Sequence, residues 1–234
     1  MDKEFIPEII FPKVLEADLY EFPALWAKST SKEDIDSGQF NLGQLNPRQS
    51  NTFFFLRWVV ETNEIIKCLN LVLLDLRSLP QMFSTLGGAP WLRYQILVRN
   101  FYSEFYRLRE IFNTCVAKAS KRGLVEKREV EPLRSYFNEL FEGMFKLRNA
   151  LIHASVQWSG PTHNMLALNN AANRMGMALG DIKTGKPIEV EKLLEEICGS
   201  AAKPLLEESQ LASSVLEKVI YTLAETSVLI SAAS

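Results

Sequence analysis

Two long stretches of this chain place apolar residues at every third or fourth position, which commits it to helices. From Asn51 to Leu79 the apolar residues occupy most of a helical circumference, as in a central helix touched on several sides. From Pro90 the run WLRYQILVRNFYSEFYRLREIFNTCVAKAS repeats Leu97, Phe101, Phe105, Leu108 and Phe112 at helical spacing. That spacing marks a core stripe rather than a platform for stacking bases. Asn51 or Thr52 is expected to cap the first helix and Pro80 to stop it; Pro90 opens the second, which ends near Lys121-Arg122-Gly123. Pro132 starts a third, PLRSYFNELFEGMFKLRNALIHAS. A last helical region covers about 189–231, with Pro204 expected to break it or to start its final helix. No alternating strand pattern, internal repeat or low-complexity tract interrupts this order. The expected fold is all-α, a bundle of long helices with an N-terminal arm.

The arm takes residues 1–50: short apolar pieces punctuated by Pro7, Pro12 and Pro23, then a polar loop near 29–50. The helical domain takes 51–234, with an insertion near 155–187 in which residues 164–187 carry no assignable element. At 234 residues, 47% apolar and 23% charged, the chain can bury a sizeable core and has the composition of a globular protein. A net charge of −2 excludes a generally basic nucleic-acid coat but leaves room for a local positive patch.

Cys68, Cys115 and Cys198 are far apart and form no CxxC pair or Cys/His cluster, so no zinc site is expected. They read as buried thiols of a cytoplasmic protein. The opening MDKEFIPEIIFP is acidic and proline-broken, unlike a signal peptide. The apolar run Phe53–Leu79 carries Arg57, Glu61, Glu64, Lys67, Asp75 and Arg77, so no membrane span is expected. There is no glycine-rich phosphate loop, GxSxG or HExxH, and Gly87-Gly88 and Gly176–Gly180 are too sparse to cradle a nucleotide; no cofactor or metal is expected.

One tract departs from core-helix composition. In FKLRNALIHASVQW, Arg148, Asn149 and His153 stand together at the end of the third helix, and His153 is one of only two histidines. On a continuous helical wheel Leu133, Phe137, Leu140, Met144, Leu147 and Leu151 form one apolar stripe, and Phe141, Phe145 and Ile152 a second. Arg148 falls between the stripes, and Asn149 and His153 lie on the rim of the second. Two stripes require two covers, the second of them more of the bundle or another subunit. Taken alone, an Arg and a His at a helix C-terminus also complement the negative end of the macrodipole, and Asn is common there.

The string RNALIH resembles the signature of the HEPN superfamily: an Arg, four to six residues, then a His, usually with a polar residue after the Arg. The setting is similar too, a long helix late in an all-α bundle. The stretch LVRNFYSEFYRLREIFN resembles the aromatic, Arg- and Glu-bearing helix that precedes the motif in several branches. The resemblance spans roughly residues 53–231. It implies a metal-independent endoribonuclease, of the kind found among toxins, defence effectors and RNA-processing enzymes. It implies a homodimer through the face of helix 132–154, with two motifs facing one cleft, RNA as substrate, and an antitoxin or regulatory protein as a further partner.

The residue types suit that chemistry. Attack of a ribose 2′-OH on the adjacent phosphate needs a base and an acid, and histidine serves as either near neutral pH. His153 would be the acid/base, Arg148 would hold the phosphate, and Asn149 would orient phosphate or imidazole. Lys146 and Arg134 are candidates for a phosphate track, and Lys121, Arg122, Lys127 and Arg128 for a basic connector, though a solvated turn accounts for the latter. His163 is expected in a solvated loop. The rival reading is a non-catalytic HEPN-like scaffold for dimerisation or partner binding; retention of both Arg148 and His153 favours the enzyme. A third is an unrelated bundle in which RNALIH is accidental.

Overall fold

A computed structural model describes residues 5–29, 43–86, 88–153, 161–177, 179–180 and 185–233. Most of the loop expected near 29–50, and residues 155–160, 178 and 181–184 of the insertion, lie outside them. After a single 3-10 turn at Lys13–Leu15, the helices are α1 (Glu16–Leu19), α2 (Phe22–Ser29), α3 (Pro47–Met82) and α4 (Pro90–Lys121). There follow a 3-10 turn at Lys127–Glu129, α5 (Val130–Leu140), α6 (Glu142–Ile152), α7 (Pro161–Arg174) and α8 (Val190–Ala233). Among the described residues the β pairing is one isolated bridge, Gly180 with Pro187. The fold is an all-α helical bundle. Among the described residues no helix is long and apolar enough to cross a membrane.

The chain divides into two compact units. The first comprises residues 1–7, 65–109 and 138–211; the second comprises 8–64, 110–137 and 212–234. The first buries Ile65, Ile66, Leu69, Leu73, Phe101, Phe105, Phe141 and Leu194. The second buries Phe55, Trp58, Phe112, Phe137, Leu216 and Ile220.

Both units hold a piece of the arm by the same device. In the first, Asn70 of α3 accepts from the Ile6 N–H (2.8 Å) and donates to the Ile6 carbonyl (3.0 Å). In the second, Asn63 treats Ile9 identically (2.8 and 2.9 Å). Each carboxamide satisfies both backbone groups of an extended residue, as a neighbouring strand would, while the Ile6 and Ile9 side chains are buried. The two asparagines stand seven residues apart, two helical turns, and so share one face of α3. Asn63→Ala and Asn70→Ala are each expected to destabilise the fold by about 1–3 kcal/mol, because a donor and an acceptor are left unmet. Urea unfolding checks this, and Asn→Asp should be no better, having lost the donor.

Helix boundaries differ from the sequence expectation where side chains outside the periodic run act. α3 begins at Pro47, not at Asn51 or Thr52. Asn46 Oδ1 accepts from the Gln49 N–H (2.8 Å) and Gln49 Oε1 from the Asn46 N–H (3.1 Å), a reciprocal cap. Thr52 is buried and donates to Asp18 Oδ2 (2.9 Å), and that carboxylate also takes Arg48 Nε on both oxygens at 2.9 Å. Pro80 does not stop α3 but lies in its last turn, where its missing N–H leaves the Leu76 carbonyl without its ladder donor. α4 opens at Pro90 and ends in a Schellman turn: Leu124 N–H donates to Ala119 O and Gly123 N–H to Ser120 O, each at 3.0 Å, with Gly123 at φ +75°.

Pro204 neither breaks α8 nor starts a new helix. Its ring and Ser200, the residue whose carbonyl loses its partner, are both exposed, so water can take the freed acceptor. Nearby, Leu194, Ile197, Ala202 and Leu205 are buried, and that burial outweighs the roughly 3 kcal/mol a mid-helix proline costs. Residues 164–174, without an assigned element from sequence, belong to α7.

The expected third helix is two helices. Phe141 leaves the α region (φ −113°, ψ 22°) and caps α6 through its carbonyl, which accepts from the Phe145 N–H (3.2 Å). A continuous wheel therefore misplaces the residues beyond it. Phe141 and Phe145 of the second stripe, expected to be covered by more of the bundle or by another subunit, are buried within the chain. Leu140 and Leu147, expected in the core stripe, are exposed.

Cys115 and Cys198 are buried and Cys68 is half-buried. Burial pushes the Cys115 and Cys198 thiols up to about 12. A group with a raised folded-state pKa stabilises the fold fully below its unfolded pKa, and that contribution is lost as pH rises. These thiols are therefore expected to resist iodoacetamide in the native protein at pH 8. Stability is expected to fall as pH climbs from about 9 towards 12; alkylation mapping and alkaline unfolding curves check both.

Candidate functional site

The floor of the site is aromatic. On α4, Phe105 packs against Phe101 (6.5 Å between centroids, stacked), Phe141 (5.5 Å, edge-on) and Phe145 (6.0 Å). Phe145 in turn meets the neighbouring Tyr106 edge to face, at 6.0 Å and 90°. This cluster ties α6 to α4 and fixes which side of each helix faces outward.

Above it stand two guanidinium groups. Arg148 of α6 lies over the Tyr106 ring, with Cζ 4.2 Å from the centroid, and its Nη1 donates to Asn149 Oδ1 (3.1 Å). Arg109 of α4 approaches the same ring, with Cζ at 5.2 Å, and also lies 5.2 Å from the Phe145 centroid. It donates from Nε to Asn138 Oδ1 (2.6 Å) and from Nη1 to Tyr106 Oη (3.1 Å). Both arginines are half-buried, and among the described residues neither pairs with a carboxylate. Two acids of these helices are committed to lysine and arginine partners: Glu142 to Lys146 (2.8 Å) and Glu104 to Arg107 (2.6 Å). Arg148 Nε is buried and has no acceptor among the described residues, which costs about 1–3 kcal/mol. Cation–π contact with one tyrosine offsets part of this.

Asn149 and His153 are exposed. His153 ends α6 with φ −81°, ψ 13°, and its N–H donates to the Asn149 carbonyl (3.1 Å). The residue after Arg148 and the residue one turn later are thus on one outward edge. Among the described residues the His153 imidazole makes no hydrogen bond. Within one chain, then, the arginine is held and the histidine is presented.

Other candidates resolve differently. Lys146 is tied to Glu142. Arg134 donates to Glu131 (2.9 Å) and to the Asn113 carbonyl (2.8 Å), which makes it a strut between α5 and α4 rather than part of a track. In the basic connector Arg122 donates to the Ser50 carbonyl and hydroxyl (3.3 and 2.9 Å) and lies over Phe54 (5.1 Å), while Arg128 pairs with Glu126 (2.7 Å). Desolvation lowers the Arg122 pKa. His163 is not in a solvated loop. It sits in the first turn of α7, half-buried, its ring 5.2 Å from that of Tyr94, and burial lowers its pKa.

Arg109 and Tyr106 were not among the residues singled out from sequence. They lie one turn apart, each one position after a core residue of α4 (Phe105 and Leu108). That flank placement was the available signal, though it does not reveal that α6 supplies a second arginine to the same ring.

Among the described residues no group of three His, Cys, Asp or Glu side chains is placed to hold a metal. No protein-family model matches the chain, and neither a curated protein nor a solved structure shows significant similarity to it.

Proposed function

We propose that this chain is a metal-independent endoribonuclease that acts as a homodimer, with Arg148, Asn149 and His153 of each copy meeting in one cleft. The observation that carries the reading is the division of labour in α6. Arg148 is anchored on Tyr106 and Asn149 beside a second guanidinium, while the His153 imidazole, one turn beyond Asn149, is exposed and makes no hydrogen bond among the described residues. A held cation suits a phosphate, and a free imidazole suits proton transfer.

In this reading one His153 takes the proton from the 2′-OH as that oxygen attacks phosphorus. The P–O5′ bond breaks, the partner subunit's His153 gives its proton to the departing 5′-oxygen, and a 2′,3′-cyclic phosphate remains. Arg148 lies against the phosphate oxygens, where negative charge builds. Two imidazoles are needed, and a two-fold axis near His153 supplies the second. The pairing surface is the outward apolar side of α5 and α6, not Phe141 and Phe145. Leu140, Leu147 and Ile152 are exposed there. The first two line a groove of about 430 Å³ with Pro204 and Leu205 of α8. Toxin or defence roles and a neutralising partner belong to the same proposal, through the HEPN resemblance.

The test is incubation of the protein with a mixed RNA pool in EDTA, with end-group analysis and mass measurement in the same samples. Dimers that leave 2′,3′-cyclic phosphate ends support the reading. A folded dimer that leaves RNA intact favours the scaffold, and a monomer without activity rejects the shared cleft.

A further inference from the structure

We propose that Arg109 is a second anion-binding residue, forming with Arg148 a two-guanidinium clamp for the phosphodiester backbone of single-stranded RNA. This deepens the ribonuclease reading and rests on it for the identity of the ligand. Two like charges converge on one tyrosine ring, Arg148 at 4.2 Å and Arg109 at 5.2 Å, with no carboxylate paired to either among the described residues. Such a pair repels itself and projects a positive field outward, and an anion seated across both relieves it. Their other partners are all neutral: the Asn138 and Asn149 carboxamides and the Tyr106 hydroxyl. These fix the direction of each planar fork without consuming its charge. Guanidinium forks match phosphate oxygens two at a time, so a clamp of two spans more of a backbone than one phosphate. Tyr106 and Phe145 are already covered by the cations, so bases are not stacked here and recognition falls on the backbone. Lys146 and Arg134, the other cations weighed for a phosphate track, and Arg122 of the basic connector are engaged by protein partners.

The experiment measures anisotropy of a short labelled single-stranded oligoribonucleotide in EDTA between about 50 and 200 mM salt. The full-length His153→Ala protein serves as parent, so that the probe is not cut. Adding Arg109→Gln is expected to weaken binding about 10- to 100-fold and to reduce the salt slope by about 0.7, one phosphate contact. Arg109→Lys, which keeps the charge but not the fork, should retain the slope. A purely structural Arg109 would change the melting temperature and leave the slope alone. Binding by the Arg109→Gln variant with the parent's affinity and slope overturns the inference while leaving the ribonuclease reading intact. A second arm uses tripolyphosphate in thermal melts. If it stabilises the parent but not Arg109→Gln, while RNA does not bind, the clamp stands and the RNA reading fails. A parent that binds neither probe overturns both.

Discussion

Cleavage of RNA by the His153→Ala protein is expected to be about 100- to 10,000-fold slower than by the unaltered chain, the range spanned by loss of a general acid or base. Stability should change by no more than about 0.5 kcal/mol, because the imidazole is exposed and its side chain makes no hydrogen bond among the described residues. That separation distinguishes a chemical role from a structural one. Mixed dimers with one altered subunit sharpen it. If base and acid come from different copies, a dimer with a single altered subunit should be nearly as slow as one with two. Activity proportional to the fraction of intact subunits would mean that each copy cuts alone, and a wild-type rate in the variant would remove His153 from the chemistry.

The second large effect lies beneath the site. Phe105→Ala is expected to cost about 3–5 kcal/mol, since a 1% exposed ring is removed from contact with Phe101, Phe141 and Phe145 and leaves a cavity. For a chain of this length that corresponds to a melting point lower by roughly 6–20 °C. The consequence reaches the arginines, because Phe145 is shared between the Phe105 cluster and the Arg109 guanidinium. Below its new melting point the variant should therefore bind polyanions more weakly than the parent, whereas Phe105→Leu, which fills most of the space, should lose little of either property. Calorimetry and the same anisotropy titration measure the two together. A stable variant with unchanged binding would show that the aromatic floor does not position the site.

Helix content was legible because a 3.6-residue apolar period survives any tertiary arrangement. Pro90 and Gly123 mark α4 correctly, as proline at a first turn and glycine at a C-cap act locally. The misplaced boundaries have non-local causes. Asn46 and Gln49 start α3 at Pro47, six residues before the apolar run begins at Phe53, and Thr52 is drawn away from capping by Asp18, far off in sequence. Pro204 is tolerated because its side of α8 is wet and the other side is buried. The break at Phe141 carries only a faint mark in the sequence, Gly143 two residues on; Phe137, Met144 and Leu151 of the expected core stripe are buried, but Leu140 and Leu147 are exposed. Of the site, Arg148, Asn149 and His153 could be singled out by residue type and spacing. Arg109 and Tyr106 could not, because their partner ring and cation come from another helix.

By itself the sequence determined an all-α chain built on long helices, since periodicity and local punctuation are properties of neighbouring residues. Only the tertiary structure decided which faces those helices bury, that Asn63 and Asn70 grip the arm, and that two arginines share one tyrosine with no carboxylate paired to either among the described residues. Each of these depends on atoms distant along the chain being brought within bonding range, and no local preference encodes that.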